Sequence, residues 1–171
     1  ECASCFGSGD WVCSFGAVAE AFAAELRPSP PAEPAKILHI GCGDSEFARE
    51  MHTAGFKDTL HTDFHEGVIE QQRRRSASLR WAVLNACDMR SCDTASYDAV
   101  VDKGCLDIFL PILLGAATTT AEEERMLADA GRMLREVFRV LRPGGKYICI
   151  SLHVHSALVL RACSGMELSV R

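Results

Sequence analysis

The chain has 171 residues, 48% of them hydrophobic and 24% charged, which suits one globular domain and excludes disorder along its whole length. A net charge of −5 argues against a general affinity for nucleic acid or for an anionic membrane surface, and no apolar run approaches the ~20 residues that cross a bilayer. A soluble enzyme or binding domain remains, and nothing in the sequence sets its oligomeric state.

Residues 1–10 are rich in Gly, Ser and Cys and read as a flexible segment, leaving 11–171 as the domain. From Trp11 to Leu26 the apolar positions Val12, Phe15, Val18, Ala19, Phe22 and Leu26 recur at helical spacing. Pro28, Pro30, Pro31 and Pro34 then form a stiff spacer. A first strand, Lys36 to Ile40, runs into Gly41-Cys42-Gly43-Asp44. Ser45 is placed to cap a helix over roughly Glu46 to Thr53, and Gly55 to end it. A second strand spans Thr59 to Phe64, a second helix Glu66 to Arg75, and a third strand Leu79 to Leu84, leading to Asp88. A fourth strand, Tyr97 to Val101, ends at Asp102-Lys103-Gly104 and is followed by a helix from Leu106 to about Leu114. The longest helix runs from Ala121 to Leu141, with Met126, Leu127, Ala130, Met133, Leu134, Val137 and Phe138 on one stripe. Pro143-Gly144-Gly145 turns the chain into a fifth strand, Lys146 to Leu152. Strands alternating with helices require parallel pairing, so the fold expected is a doubly wound, mostly parallel α/β sheet of Rossmann type with strand order 3-2-1-4-5.

Nine cysteines are an odd count for a disulfide scaffold. Cys42, Cys87, Cys105 and Cys149 lie in or beside apolar runs, where a reduced thiol acts as a small hydrophobe. Cys2 and Cys5 lack a second pair at finger spacing, and the histidines lack a supporting acid, so no metal site is expected. Reduced thiols and the lack of a signal-peptide pattern read as a cytoplasmic protein. Glu at position 1 reads as a piece cut from a longer chain.

In sheets of this kind ligands bind beyond the carboxyl ends of the strands. Gly41-Cys42-Gly43 follows strand one, Asp63 closes strand two, Asp88 follows strand three and Asp102 follows strand four. Two glycines let backbone approach a ligand, and an acid at the end of strand two is placed to accept both ribose hydroxyls of a nucleoside. A dinucleotide fingerprint needs a small residue at position 46, where this chain has Glu46. A carboxylate there repels pyrophosphate but tolerates S-adenosylmethionine, which has no phosphate.

These segments resemble the class I S-adenosylmethionine-dependent methyltransferases, and more closely the methyltransferase-like proteins that modify lysine or the amino terminus of translation elongation factor 1-alpha. The resemblance lies in residues 37–72, 97–110 and 122–152, with a weaker match at 10–22; Gly-Cys-Gly-Asp-Ser-Glu and Asp-Lys-Gly-x-Leu-Asp are its most specific parts. It implies that Gly41, Cys42 and Gly43 lie under the methionine part of the cofactor. Asp63 would bind the ribose, with Phe64 beside the adenine, and Asp88 would accept from the adenine amino group, with Met89 against the ring. Asp102 and Lys103 would form the wall where cofactor and acceptor meet, Asp102 orienting the acceptor nitrogen. The position where the family has Gln after strand five holds Val154, between His153 and His155. The antiparallel strands that finish the family's sheet are missing or only begun, at Met166 to Arg171, and the domain reads as truncated at both ends.

The implied activity is protein amine methylation, with a protein substrate and neither nucleic acid nor membrane as partner. A catalytically inactive binding module and a small-molecule methyltransferase are the alternatives; a nicotinamide oxidoreductase is disfavoured by Glu46.

Overall fold

The computed structural model describes residues 12–26, 34–110 and 120–152. The expected flexible segment 1–10, Trp11, most of the proline spacer, His153 to His155 and the strand at Met166 to Arg171 lie outside them.

Five strands form one parallel sheet in the order β3-β2-β1-β4-β5. They are β1 (Ile37–Ile40), β2 (Thr59–Asp63), β3 (Arg80–Val83), β4 (Tyr97–Lys103) and β5 (Leu141–Ile150). The three central strands, β1, β2 and β4, are buried on both faces, and their polar residues are buried with them, His39, Thr59, His61 and Thr62 among these. Ile37 lies opposite Thr59 on one side and Ala99 on the other, so the carboxyl ends of β1, β2 and β4 emerge side by side. No strand pairs antiparallel among the described residues.

Each face of the sheet carries its own core. Leu38, Ile40 and Val100 pack against Ala130, Met133, Leu134 and Val137 of the long helix α4 (Thr120–Val140). On the other face Ile37, Ala99 and Val101 meet helices α1 (Ala19–Leu26) and α2 (Phe47–Thr53) through four phenylalanines. Phe15, Phe22, Phe47 and Phe56 stack edge to face with ring centres 5.3–6.0 Å apart, the geometry that the ring quadrupole favours. Helix α3 (Glu66–Arg75) covers β2 and β3 through Ile69 and Trp81.

The helix ends follow local chemistry. Phe47 N–H donates to Ser45 Oγ at 3.0 Å. Gly55, at φ +104°, closes α2: its own N–H reaches the His52 carbonyl and the Phe56 N–H the Met51 carbonyl, both at 3.1 Å.

Three elements differ from the expectation. The first helix starts late, because the Phe15 N–H is taken by Glu50 Oε2 at 2.8 Å and the chain makes a single 3-10 turn, Phe15–Ala17, before α1. After β4 a 3-10 turn, Leu106–Phe109, replaces the start of an α-helix, since Leu110 is extended ahead of Pro111, and a residue before proline avoids the helical region. The strand β5 starts at Leu141, and the expected turn at Pro143 to Gly145 survives as a bulge within it. Tyr97 and Ala99 of β4 pair with Leu141 and Lys146, so a short step on β4 faces a longer one on β5, with Gly144 at φ +79°.

Candidate cofactor site

The turn after β1 is built on two left-handed glycines, Gly41 at φ +59° and Gly43 at φ +57°. Their surroundings differ. A Cβ on Gly41 would stand 2.7 Å from Cβ and Sγ of Cys105, so glycine there lets the turn pack on the segment after β4. A Cβ on Gly43 would meet nothing within 4 Å, which leaves open space over that peptide. Between them Cys42 donates its N–H to the Thr62 carbonyl at 2.9 Å and buries its thiol against Ala48, Ile69 and Trp81. Burial and the nearby Asp63 carboxylate push that thiol upward, so it is an uncharged packing group.

Asp63 closes β2 with 8% of its surface exposed. Its Oδ2 accepts the Gly43 N–H at 3.0 Å and its Oδ1 the His65 N–H at 2.9 Å. One carboxylate thus ties the glycine turn to the start of α3, and each oxygen keeps a further lone pair for a ligand hydroxyl. Gln72 completes the brace. Fully buried on α3, it donates from Nε2 to the carbonyls of Gly43 at 2.9 Å and Ser45 at 3.1 Å. Sequence reasoning missed Gln72; its signal is a place one turn after Ile69 on the buried side of α3.

A cavity of about 260 Å³ opens beside this turn. Gly41, Phe64, Asn85, Cys87, Cys105 and Ile108 line it, with Asp129 and Arg132 of α4 on its far wall. Phe64 is 67% exposed and Ile108 52% exposed, so two large apolar groups stand in water at its mouth. Of the residues expected from sequence, Gly41 and Phe64 line the cavity, while Gly43 and Asp63 stand beside Gly41.

Asp88 and Met89 are not brought to the cavity. The chain leaves β3 in a tight turn in which Asp88 N–H reaches the Asn85 carbonyl at 2.9 Å. This turn carries Asp88 outward, where Arg90 grips its carboxylate at 2.6 and 2.7 Å and holds it below the usual carboxylate range. Met89 is fully buried in the core under α4. From this turn it is Asn85 that lines the cavity, and its Oδ1 accepts the Cys87 N–H at 2.9 Å.

Asp102 has no exposed surface. It accepts N–H bonds from Cys105 at 2.7 Å and Leu106 at 3.1 Å, and the Tyr147 hydroxyl at 2.7 Å. Burial raises it to about 6, against the pull of these donors. Lys103 points from the opposite face of the sheet, with Nζ 5.5 Å from the Phe47 ring centre. Neither lines the cavity, so both expected wall residues act from behind it. Asp107, also fully buried, accepts Ser151 Oγ and the Leu152 N–H, the latter at 3.1 Å. The two acids clamp the 3-10 turn and the end of β5 to the end of β4.

The sequence profile of the family described as "Methyltransferase domain" matches residues 38–149, from β1 to β5. The chain belongs to this methyltransferase family. It is 40% identical over 121 residues to the eEF1A lysine and N-terminal methyltransferases of Bos taurus and Homo sapiens, covering 68% of this chain and 16% of theirs. It is 30% identical over 147 residues to EEF1A lysine methyltransferase 4 of Bos taurus, covering 83% of this chain and 53% of that one. The chain therefore spans a sixth of the first relatives and about half of the second. Among solved structures, the PH0226 protein of Pyrococcus horikoshii shares the fold with a TM-score of 0.62 at 20% identity, over 84% of this chain and 55% of that one. Streptomyces venezuelae DesVI shares it with a TM-score of 0.53 at 19% identity, over 82% and 50%.

Membership implies S-adenosylmethionine as the methyl donor, and the residues present fit it: open space over Gly43, spare lone pairs on Asp63 and an apolar mouth at Phe64. Glu46 pairs with Arg49 and, at 2.5 Å, with Arg75, so its charge is shared and it repels a phosphate less than expected. The cofactor follows from the family and from the Asp63 geometry rather than from Glu46.

Proposed function

We propose that this domain transfers a methyl group from S-adenosylmethionine to a primary amine of a protein, a lysine side chain or an N-terminus, with elongation factor 1-alpha as the acceptor and a cytoplasmic setting. The observation that carries the reading is the link from Gly43 N–H to Asp63 beside the cavity. The acceptor class rests on the relatives' names.

The cofactor, when bound, supplies a methyl already activated by its sulfonium cation. In this reading the Gly41, Cys42 and Gly43 backbone holds its amino-acid part, Asp63 accepts the ribose hydroxyls, and Phe64 lies against the base. Asn85, in the turn with Met89 buried behind it, offers the base a polar edge. Asp102 fixes the Cys105 and Leu106 amides, and with Lys103 it keeps the wall after β4 rigid. Such positioning shortens the path to in-line attack. A lysine must arrive neutral although its ordinary pKa is about 10.4, and the apolar Ile108 at the cavity favours the uncharged amine once the bound acceptor covers it.

A second reading, a binding module without turnover, draws on the fact that Asp102 and Asp107 are both fully hydrogen-bonded and buried. Incubation with methyl-labelled cofactor and elongation factor 1-alpha separates the two. Label on a lysine or N-terminal amine supports the enzyme; cofactor binding without label supports the module.

A further inference from the structure

The segment between β3 and β4 contains no helix, yet it forms one wall of the cavity through Leu84, Asn85, Ala86 and Cys87. A loop without its own hydrogen-bond ladder must be fixed from outside to hold a wall in place. One ion pair on α4 does so. Glu136 Oε2 accepts the Met89 N–H at 2.7 Å. Arg139 donates to the carbonyls of Met89 at 2.8 Å and Cys92 at 2.9 Å and to Thr94 Oγ1 at 3.2 Å. The two side chains also grip each other through two bonds of 2.8 Å. At the end of α4, the carbonyls of Arg139 and Val140 accept the N–H groups of Ala95 and Ser96 at 2.9 and 2.8 Å. The same helix contributes Asp129 and Arg132 to the cavity, so the wall and its support share one rigid element.

We propose that Glu136 and Arg139 are positioning residues of the cofactor site: they set where the turn from Asn85 to Cys87 stands and thereby the width of the cavity. The inference rests on the cofactor reading above. Neither residue touches the cavity; both act through the backbone of Met89 and Cys92. The fork of a guanidinium is required, because a lysine ammonium is a point donor and cannot span two carbonyls and a hydroxyl at once. Glu136 is held below the usual carboxylate range by Arg139 and by the Met89 N–H, so the pair stays charged at neutral pH.

The test is Arg139→Lys in the full chain, read by calorimetric titration with S-adenosylhomocysteine and by hydrogen exchange. The expected result is an affinity loss of about tenfold or more, as small misplacements in a preorganised site produce. Exchange rises in the peptide covering residues 85–94 and stays unchanged in β4. Arg80→Lys, at the exposed pair with Asp58, serves as control and keeps wild-type affinity. A melting temperature that drops while affinity stays within twofold of wild type means that the pair is merely structural, and overturns the proposal. Glu136→Gln keeps an oxygen for the Met89 N–H and carries the same test if Arg139→Lys does not melt cooperatively. Failure of the wild-type chain to bind S-adenosylhomocysteine would sink the cofactor reading itself, a result distinct from equal affinity in wild type and variant.

Discussion

His39 and His61 meet Nδ1 to Nδ1 at 3.0 Å across β1 and β2, in the centre of the sheet. One ring must donate and the other accept, and with both rings neutral they carry opposite tautomers. His39 lies against Phe47 and His61 against Trp81, and His39 Nε2 has no hydrogen-bond partner among the described residues. Burial lowers both residues, His61 to about 3, with Lys103 of β4 adding repulsion at His39 and His52 of α2 at His61.

This pair predicts acid sensitivity. The unfolded value is 6.5 and the folded values lie below it, so the unfolded chain binds more protons under pH 6.5. Stability then falls as pH drops below 6.5, because the folded chain keeps both rings neutral while the unfolded chain takes up protons. Asp102 acts with the opposite sign: raised from 3.8 to about 6, it loses stability as pH rises through that window and is constant above it. Two histidines outweigh one carboxylate. Melting temperature should be level near neutrality and decline below pH 6.5; a level or rising value down to pH 5 would contradict the buried neutral pair.

The two glycines of the β1 turn should separate fold from ligand binding. Both have positive φ, so alanine costs about 1 kcal/mol in backbone strain at either position. Gly41→Ala adds a collision with Cys105 and should lower the melting temperature markedly more than Gly43→Ala. Gly43→Ala fills only open space and should cost more in S-adenosylhomocysteine affinity than in stability. Equal melting temperatures for the two variants would argue against the close packing of Gly41 on Cys105.

Much of this arrangement was legible in the chain. Ile37 to Ile40 and Tyr97 to Val101 announce central strands because a strand buried on both faces needs no polar alternation. The Gly41-to-Asp63 spacing works because β1, the α2 connection and β2 are short and regular. What escaped depends on partners far along the sequence. Glu50 delays the start of the first helix through Phe15, 35 residues away. Tyr147 and Leu152, each 45 residues from their acids, draw Asp102 and Asp107 into the interior. Asp88 was misplaced for a local reason: the turn begins at Asn85, so the acid three residues on already points away. Pro111 was visible, and its restriction on Leu110 accounts for the 3-10 turn at Leu106–Phe109.

Asp102 should behave as a clamp in unfolding. Asp102→Asn keeps the shape but cannot accept from the Cys105, Leu106 and Tyr147 donors together. A loss of about 1–3 kcal/mol is expected in urea unfolding, from buried donors left unpaired. Wild-type stability in this variant would show that the clamp contributes nothing.

The central claim is that Asp63 and the glycine turn hold a nucleoside-containing methyl donor, and calorimetric titration of S-adenosylhomocysteine into the wild-type chain and Asp63→Ala tests it most directly. Removing the carboxylate takes away charge-assisted hydrogen bonds worth roughly 1.5–3 kcal/mol each, and 1.4 kcal/mol is about tenfold in affinity. The variant also loses its bonds to Gly43 and His65, so the titration is run well below its melting temperature. Binding by the wild type with affinity at least about tenfold weaker in the variant is the predicted result. Equal affinity in both, or no binding by the wild type, would contradict the account.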